Sequence, residues 1–330
     1  MHTVVLSHAV YKTGMEILEA RKDDVKTIVM NSSEAPNFLP QLQKADGILM
    51  RFGWLGGDIL RQCPKLKVIS RSGIGVDNVD VDAAAELGLP IVVTPGANTQ
   101  SVAEHTMALI YAITKDVVDS CVESKAGNYL VRNKYMAIEL QGRSVGVVGF
   151  GKIGRVVAKL LANNGLVVHA YDPYVTKEQV EVLGYQYAAS LHELLGRVDI
   201  VTLHLPSLPE TKGIMGKGEF VAMRDDSFLV NCARGDLIDE GALYDALSRK
   251  KLAGAAVDIL TGEPFNIQNP LFTLPNFIAT PHTAGLTQEA SASVASMAVE
   301  GMLAILDGKK WPHVYDSAAY EHPRWKGILS

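Results

Sequence analysis

Only three cysteines, Cys63, Cys121 and Cys232, occur in 330 residues, and they lie far apart. So few and scattered thiols exclude a disulfide framework or a cysteine metal knuckle and fit a reducing compartment; a cytoplasmic location is expected, with no metal. Basic runs interleaved with aromatics are also missing, and a formal net charge of -5 offers no basic face for nucleic acid. No apolar stretch reads as the roughly 20 residues that a membrane span needs. MHTVVLSHAV has no basic leader or small-residue cleavage site, so it reads as a first strand rather than a signal peptide. Neither nucleic acid nor membrane is expected as a partner.

What is present is a chain with 48% hydrophobic and 20% charged residues, enough for a full core and about two domains. Short apolar runs alternate with amphipathic stretches, the pattern of an α/β protein whose parallel sheets are covered by helices. Strands are expected at 3–6, 26–30, 47–50, 68–70 and 91–93, with helices at 15–21 and 80–87 between them. Thr94-Pro95-Gly96-Ala97-Asn98 then breaks the pattern with turn formers. Ser101, with Glu104 three residues on, is expected to cap a long buried helix. An irregular segment is expected from Asp119 to Gln141, and a second α/β series from Ser144 to about Thr280. A last helix, Thr287 to Leu306, should pack back on the first domain, and the tail from Tyr315 to Ser330 has no assignable element. The expected organisation is 1–98 plus 287–330 as one discontinuous domain and 99–286 as the other, two Rossmann/flavodoxin-like parallel-sheet domains with a cleft between them.

Ser144 to Val148 reads as a strand that runs into Gly149-Phe150-Gly151-Lys152-Ile153-Gly154 and then a helix. In that setting Gly149 makes a tight turn, Gly151 lets a pyrophosphate approach the backbone, and Gly154 allows close packing of helix on sheet. The helix N-terminus adds free N–H groups and a partial positive charge. The next strand ends in Asp172, roughly twenty residues on, where a carboxylate takes both ribose hydroxyls and repels a 2′-phosphate. NAD is therefore expected rather than NADP. Lys152, on the first helical turn, is either a pyrophosphate partner or a solvated lysine.

Three later segments share one design, an apolar run with a polar residue just past its end: FLVNCARGD with Arg234, AGAAVDILTGEPF with Asp258 and Glu263, and NFIATPHTAG with His282. Residues beyond the carboxyl ends of neighbouring parallel strands gather at one crevice. Oxidation of a 2-hydroxy acid needs a cation for the carboxylate and a group that exchanges a proton near neutral pH. Arg234 supplies two parallel donors, His282 the titrating ring, and Glu263 an acceptor that orients the imidazole and favours its protonated form.

The succession GFGKIG, YDP, HLPSLPETKG, NCARGDLIDE, AAVDILTGEP and TPHTAG, with SRSGIGVDNVD and NTQSVAEHT before it, resembles the D-isomer-specific 2-hydroxyacid dehydrogenase family over about residues 1 to 310. The resemblance implies Arg234, Glu263 and His282 as the catalytic triad. It implies NAD contacts at Lys152, Ile153, Asp172, His204, Pro206, Cys232, Ala233, Asp258 and Ala284. It also implies a homodimer joined through the cofactor domains, and a turn, Ser72, Gly73 and Ile74, whose amides cup the substrate carboxylate. His204 has a second reading as a satisfied histidine at a strand end.

Arg51 ends an expected strand and resembles the second cation that phosphoglycerate dehydrogenases turn toward a distal phosphate; a solvent-exposed arginine is the alternative. Phe52 and Trp54 instead suit a less charged tail. D-3-phosphoglycerate or a similarly anionic acid ranks first, with hydroxypyruvate or glyoxylate reduction next. The sequence shows no long carboxy-terminal regulatory domain of the kind many phosphoglycerate dehydrogenases carry, so no serine feedback is expected. Domain closure is expected to hinge near Asn98 to Gln100 and Ala284 to Thr287. A functional alternative of another class is an NAD-sensing corepressor-like scaffold, since fold alone does not decide activity.

Overall fold

The computed structural model describes residues 1–134 and 137–328. Tyr135 and Met136, inside the segment expected to be irregular, and Leu329 and Ser330, at the end of the tail, lie outside the described residues. The chain forms two compact units, Met1–Asn98 with Leu286–Ser330, and Thr99–Gly285.

The first unit carries β1 (His2–Leu6), β2 (Val25–Val29), β3 (Gly47–Met50), β4 (Val68–Arg71) and β5 (Ile91–Val92) in one sheet of order β2-β1-β3-β4-β5. All pairings are parallel. A parallel sheet is buried on both faces away from its edges, which is why the central strand β3 reads as a short continuous apolar run while the edge strand β2 holds Lys26 and Thr27. One face is covered by the helix Gln288–Leu306, whose N-cap Thr287 accepts the Ala290 amide. Gly47 lets it come close, because a Cβ there would lie 3.1 Å from the sulfur of Met302. Val299 and Met302 are fully buried, each stabilising the unit by about 1.5–3 kcal/mol.

This helix corrects one expectation: by length and composition Gln288–Leu306 is apolar enough to cross a membrane. Its alanines, serines and glycine dilute the apolar signal along the sequence, and half of its apolar window is buried within the protein. The tail forms two short 3-10 turns, Ser317–Glu321 and Pro323–Trp325. Trp325 is buried and donates its indole N–H to the Gly88 carbonyl at 2.7 Å.

The second unit carries β6 (Ser144–Val148), β7 (Val167–Tyr171), β8 (Gln186–Tyr187), β9 (Ile200–Leu203), β10 (Ser227–Asn231), β11 (Leu252–Val257) and β12 (Phe277–Ala279). Their order is β12-β11-β10-β9-β6-β7-β8, again parallel throughout. The order reverses between β6 and β9, so the switch point where α/β sheets bind ligands lies beyond Val148 and Leu203.

Two local expectations fail here. Ser101 is not a cap: the helix already begins at Thr99, Ser101 is buried inside it, and Glu104 accepts from Gln100 at 2.7 Å one turn back. The segment expected to be irregular holds a helix, Val117–Lys125, and a 3-10 turn, Tyr129–Asn133. That helix buries none of its residues, so it has no core-facing stripe for a periodicity argument to find.

Candidate active site

The three glycines of the 149–154 turn stand in different surroundings. Gly149 has φ +92°, and a Cβ on it would sit 2.5 Å from the carbonyl oxygen of His204. Gly154 lies against the same turn, its hypothetical Cβ 2.0 Å from the Gly149 oxygen. Gly151 has nothing within 4 Å of such a Cβ. It is the N-cap of the helix Lys152–Asn163, with no side chain on the helix's first amides. That combination of open space and uncapped N–H groups fits an approaching pyrophosphate. Lys152 is exposed beside it, and Ile153 packs against the core.

Asp172 follows β7 and is fixed from two sides. One carboxylate oxygen accepts the Phe150 amide of the glycine turn at 2.8 Å and the other the Tyr174 amide at 2.9 Å. Each keeps a further lone pair for a ribose hydroxyl. His204, beyond β9, touches the Thr202 hydroxyl at 3.0 Å, and burial pushes its pKa down to about 3. It is therefore neutral at physiological pH. Pro206 is exposed two residues on.

Asn231, the last residue of β10, is fully buried. Its side chain donates to the Arg234 carbonyl at 2.7 Å and accepts the Ala233 amide at 2.9 Å, so it sets the path of the loop that carries the arginine. Gly235 presses that loop against the next one, since a Cβ there would lie 2.3 Å from the carbonyl carbon of Leu260. Glu240 braces the second loop, accepting the Thr261 amide and the Asn269 side chain, both at 2.6 Å. Cys232 is buried in the core, where its thiol is pushed up to about 12; it is a packing thiol, not a thiolate.

Glu263 and His282 meet directly, with Glu263 Oε1 2.5 Å from His282 Nδ1. Both are about half exposed. The hydrogen bond from His282 holds the Glu263 carboxyl below its ordinary range; burial opposes this, and the charges of His282 and Arg234 lower it further. Arg234 thus contributes to the same field. His282 has φ +52°, a left-handed conformation that costs a non-glycine residue on the order of 1–3 kcal/mol and must be imposed by its surroundings. Asp258 does this. Its backbone carbonyl takes the His282 amide at 2.8 Å, and its buried carboxylate takes the amides of Thr283 at 2.9 Å and Ala284 at 2.8 Å. The Asp258 side chain is committed to this loop.

In the first unit, the Arg51 guanidinium lies 4.6 Å from the Phe52 ring centroid, and burial lowers its pKa. No ion pair holds Arg51 among the described residues. The amides of Ser72 and Gly73 already donate to the carbonyls of Met50 at 3.2 Å and Arg71 at 3.0 Å, which narrows the expected anion-binding turn toward Ile74. Gly73 has φ +147° and open space around it. Arg71 crosslinks this region by donating to the carbonyls of Gly75 and Arg51 at 3.1 and 2.5 Å. Among the described residues no group of three or more His, Cys, Asp or Glu side chains could hold a metal ion.

Asn231, Gly235, Glu240 and Arg71 were missed in the sequence. The first three stand within the NCARGDLIDE motif, where a polar residue closing an apolar strand is the one available signal.

Residues 107–284 match the family model for "D-isomer specific 2-hydroxyacid dehydrogenase, NAD binding domain". Among curated proteins, the chain is 36% identical over 310 residues to a D-3-phosphoglycerate dehydrogenase of Methanocaldococcus jannaschii, covering 94% of this chain and 58% of that one. It is 34% identical over 309 residues to the Bacillus subtilis D-3-phosphoglycerate dehydrogenase, covering 93% and 58%. The chain thus spans a little over half the length of these relatives. Among solved structures it is similar to the TT0316 protein of Thermus thermophilus, with TM-score 0.84, 31% identity and coverage of 95% and 100%. It is also similar to a D-lactate dehydrogenase of Aquifex aeolicus complexed with NAD and lactic acid, with TM-score 0.83, 27% identity and coverage of 93% and 96%.

Proposed function

Because the chain belongs to the D-isomer specific 2-hydroxyacid dehydrogenase family, we propose that it interconverts a D-2-hydroxy acid and the matching 2-keto acid with NAD. The observation that carries this is the Glu263–His282 pair, set within the field of Arg234 and borne on loops beyond β10, β11 and β12 of the sheet that also bears the glycine turn.

When bound, the nicotinamide exchanges a hydride with the carbon that bears the substrate oxygen. The residues do the rest. Gly151 and the uncapped amides of the helix Lys152–Asn163 receive the pyrophosphate, and Asp172 holds the ribose hydroxyls. Arg234 grips the substrate carboxylate with two parallel hydrogen bonds. Glu263 can only accept, so His282 Nδ1 carries the hydrogen between them and Nε2 is left to exchange a proton with the substrate oxygen. His204, Pro206, Cys232, Ala233 and Ala284 line the cofactor in this reading, and Asp258 acts through the loop it braces.

The substrate we favour is D-3-phosphoglycerate or a similar acid with a second anionic group. Arg51 supports it as a partly desolvated guanidinium with no carboxylate partner among the described residues, and Ile74 offers the carboxylate a backbone amide. Phe52 and Trp54, exposed at 44% and 58% beside that arginine, favour hydroxypyruvate or glyoxylate as the second reading. The Met1–Asn98 unit with its returning helix takes the substrate-recognition role, and Thr99–Gly285 the NAD-binding role. We also propose a cytoplasmic homodimer. The helix Val117–Lys125 exposes Val117, Val118 and Val122, and Tyr129 and Leu130 follow at 71% exposure each, an apolar surface that a second copy would cover. No observation favours the scaffold alternative.

The test is reduction of a panel of 2-keto acids by NADH, with wild type and His282→Ala. Turnover should fall by about a thousandfold or more once the proton-exchanging group is gone, while NADH affinity is kept. Equal turnover in the variant refutes the assignment.

A further inference from the structure

Behind the His282 loop lies a second polar relay. His105 projects from the helix Thr99–Thr114, and its Nε2 is 3.0 Å from Thr280 Oγ1 and 3.5 Å from Asp258 Oδ1. Thr280 Oγ1 is itself 2.5 Å from Asp258 Oδ1. The Asp258 side chain has no exposed surface. Backbone amides of Thr283 and Ala284 reach one oxygen each.

Donor arithmetic orders this cluster. A carboxylate that receives amides on both oxygens acts as an acceptor, so the single hydroxyl hydrogen of Thr280 points to Asp258. Thr280 then has only lone pairs left for His105. The His105 Nε2 must carry a hydrogen, and the imidazole is the donor end of a chain running His105, Thr280, Asp258. That chain ends on the amides of the two residues after His282. The left-handed backbone of His282 is a conformation that persists only where neighbours over-determine it, and removing the first donor loosens the carboxylate that does so.

We propose that His105 is a positioning residue for His282, acting through Thr280 and Asp258 and touching neither substrate nor cofactor. This rests on the reading of His282 as the proton-exchanging group. Sequence gives no hint of the relay, since His105 and Thr280 are 175 positions apart.

The experiment uses the full chain as wild type, His105→Ala, His105→Gln, Thr280→Val and the His105→Ala/Thr280→Val double variant. Three quantities are read: kcat with NADH and the best 2-keto acid, the NADH dissociation constant, and hydrogen exchange of the Thr283 and Ala284 amides. In His105→Ala, kcat should fall about 10- to 100-fold, the range for losing an outer hydrogen-bond partner of a functional side chain. NADH affinity should hold within about twofold while the two amides exchange about tenfold faster or more. Glutamine presents an N–H donor at a similar reach, so His105→Gln should restore both kcat and protection. The double variant should be no worse than Thr280→Val, because both changes break one chain. Should His105→Ala fail to fold, Thr280→Val carries the same expectation from the middle of the relay. Wild-type kcat and protection in His105→Ala, no rescue by glutamine, or additive losses in the double variant each overturn the proposal. If wild type turns over no 2-keto acid, the reading of His282 falls, and the exchange measurement alone decides the relay.

Discussion

Gly151→Ala and Gly154→Ala should separate ligand binding from folding, although the two positions lie within one turn of chain. At Gly154 a Cβ would stand 2.0 Å from the Gly149 carbonyl oxygen and 3.3 Å from Val147 Cγ1. The first of these is backbone and cannot swing aside. The helix Lys152–Asn163 must then ride outward, taking the fully buried Val157, Ala158 and Leu161 with it. Overpacking of this kind costs about 1–3 kcal/mol. At about 2–4 °C per kcal/mol for a folding unit of this size, Tm should drop by roughly 2–12 °C. At Gly151 the added methyl meets nothing within 4 Å, and φ is an ordinary −76°, so stability should stay within about 1 kcal/mol. The methyl does occupy the space through which the pyrophosphate is proposed to approach. Losing one hydrogen bond to a charged group there costs about 1.5–3 kcal/mol, which lowers NADH affinity by about 10- to 150-fold. Thermal melts and NADH fluorescence titrations of both variants decide the matter. Wild-type NADH affinity in Gly151→Ala, or a wild-type melt in Gly154→Ala, refutes the division of roles.

Three further outcomes are expected. Asp172→Ala should shift the NADPH/NADH ratio of kcat/KM toward NADPH by about tenfold or more, because the carboxylate that repels a 2′-phosphate is gone; an unmoved ratio contradicts that role. His204 sits near 3 in the folded protein against about 6.5 unfolded, so the unfolded chain binds the extra proton and stability falls as pH drops from about 6.5 toward 3. His204→Gln should flatten Tm across that window, and parallel curves for both proteins would exclude the histidine as the cause. Arg51→Ala should raise KM for keto acids with a second anionic group by about tenfold or more while leaving glyoxylate nearly unchanged; a uniform effect across the panel places the arginine elsewhere.

The parts of the molecule that were legible in the sequence are those with a one-dimensional signature. β3 occupies residues 47–50 as expected, since an apolar run bounded by turn formers marks a buried parallel strand. The glycine turn could be read because a strand, three glycines at a fixed spacing and a helix follow one another in the sequence, and at Gly149 and Gly154 a Cβ would strike backbone. The helix Val117–Lys125 could not, because a helix without a buried face leaves no period to detect. Ser101 misled because a serine before an apolar run is a capping signal only where the helix starts, and this helix starts two residues earlier. Within the site, residues at strand ends could be grouped by topology. The supports that orient them, Asn231 under Arg234 and Asp258 under His282, depend on which way a buried side chain turns, and that is decided by packing.

The placement of the polar machinery along the chain has one more consequence. Everything from the glycine turn to His282 is carried by one uninterrupted stretch, Thr99–Gly285, while Arg51, Phe52, Trp54 and Ile74 belong to the other folding unit. In the proposed reading, substitutions at these positions, of which Phe52, Trp54 and Ile74 are exposed, would retune which acid is accepted while leaving untouched the separate core of the stretch that carries Arg234, Glu263 and His282.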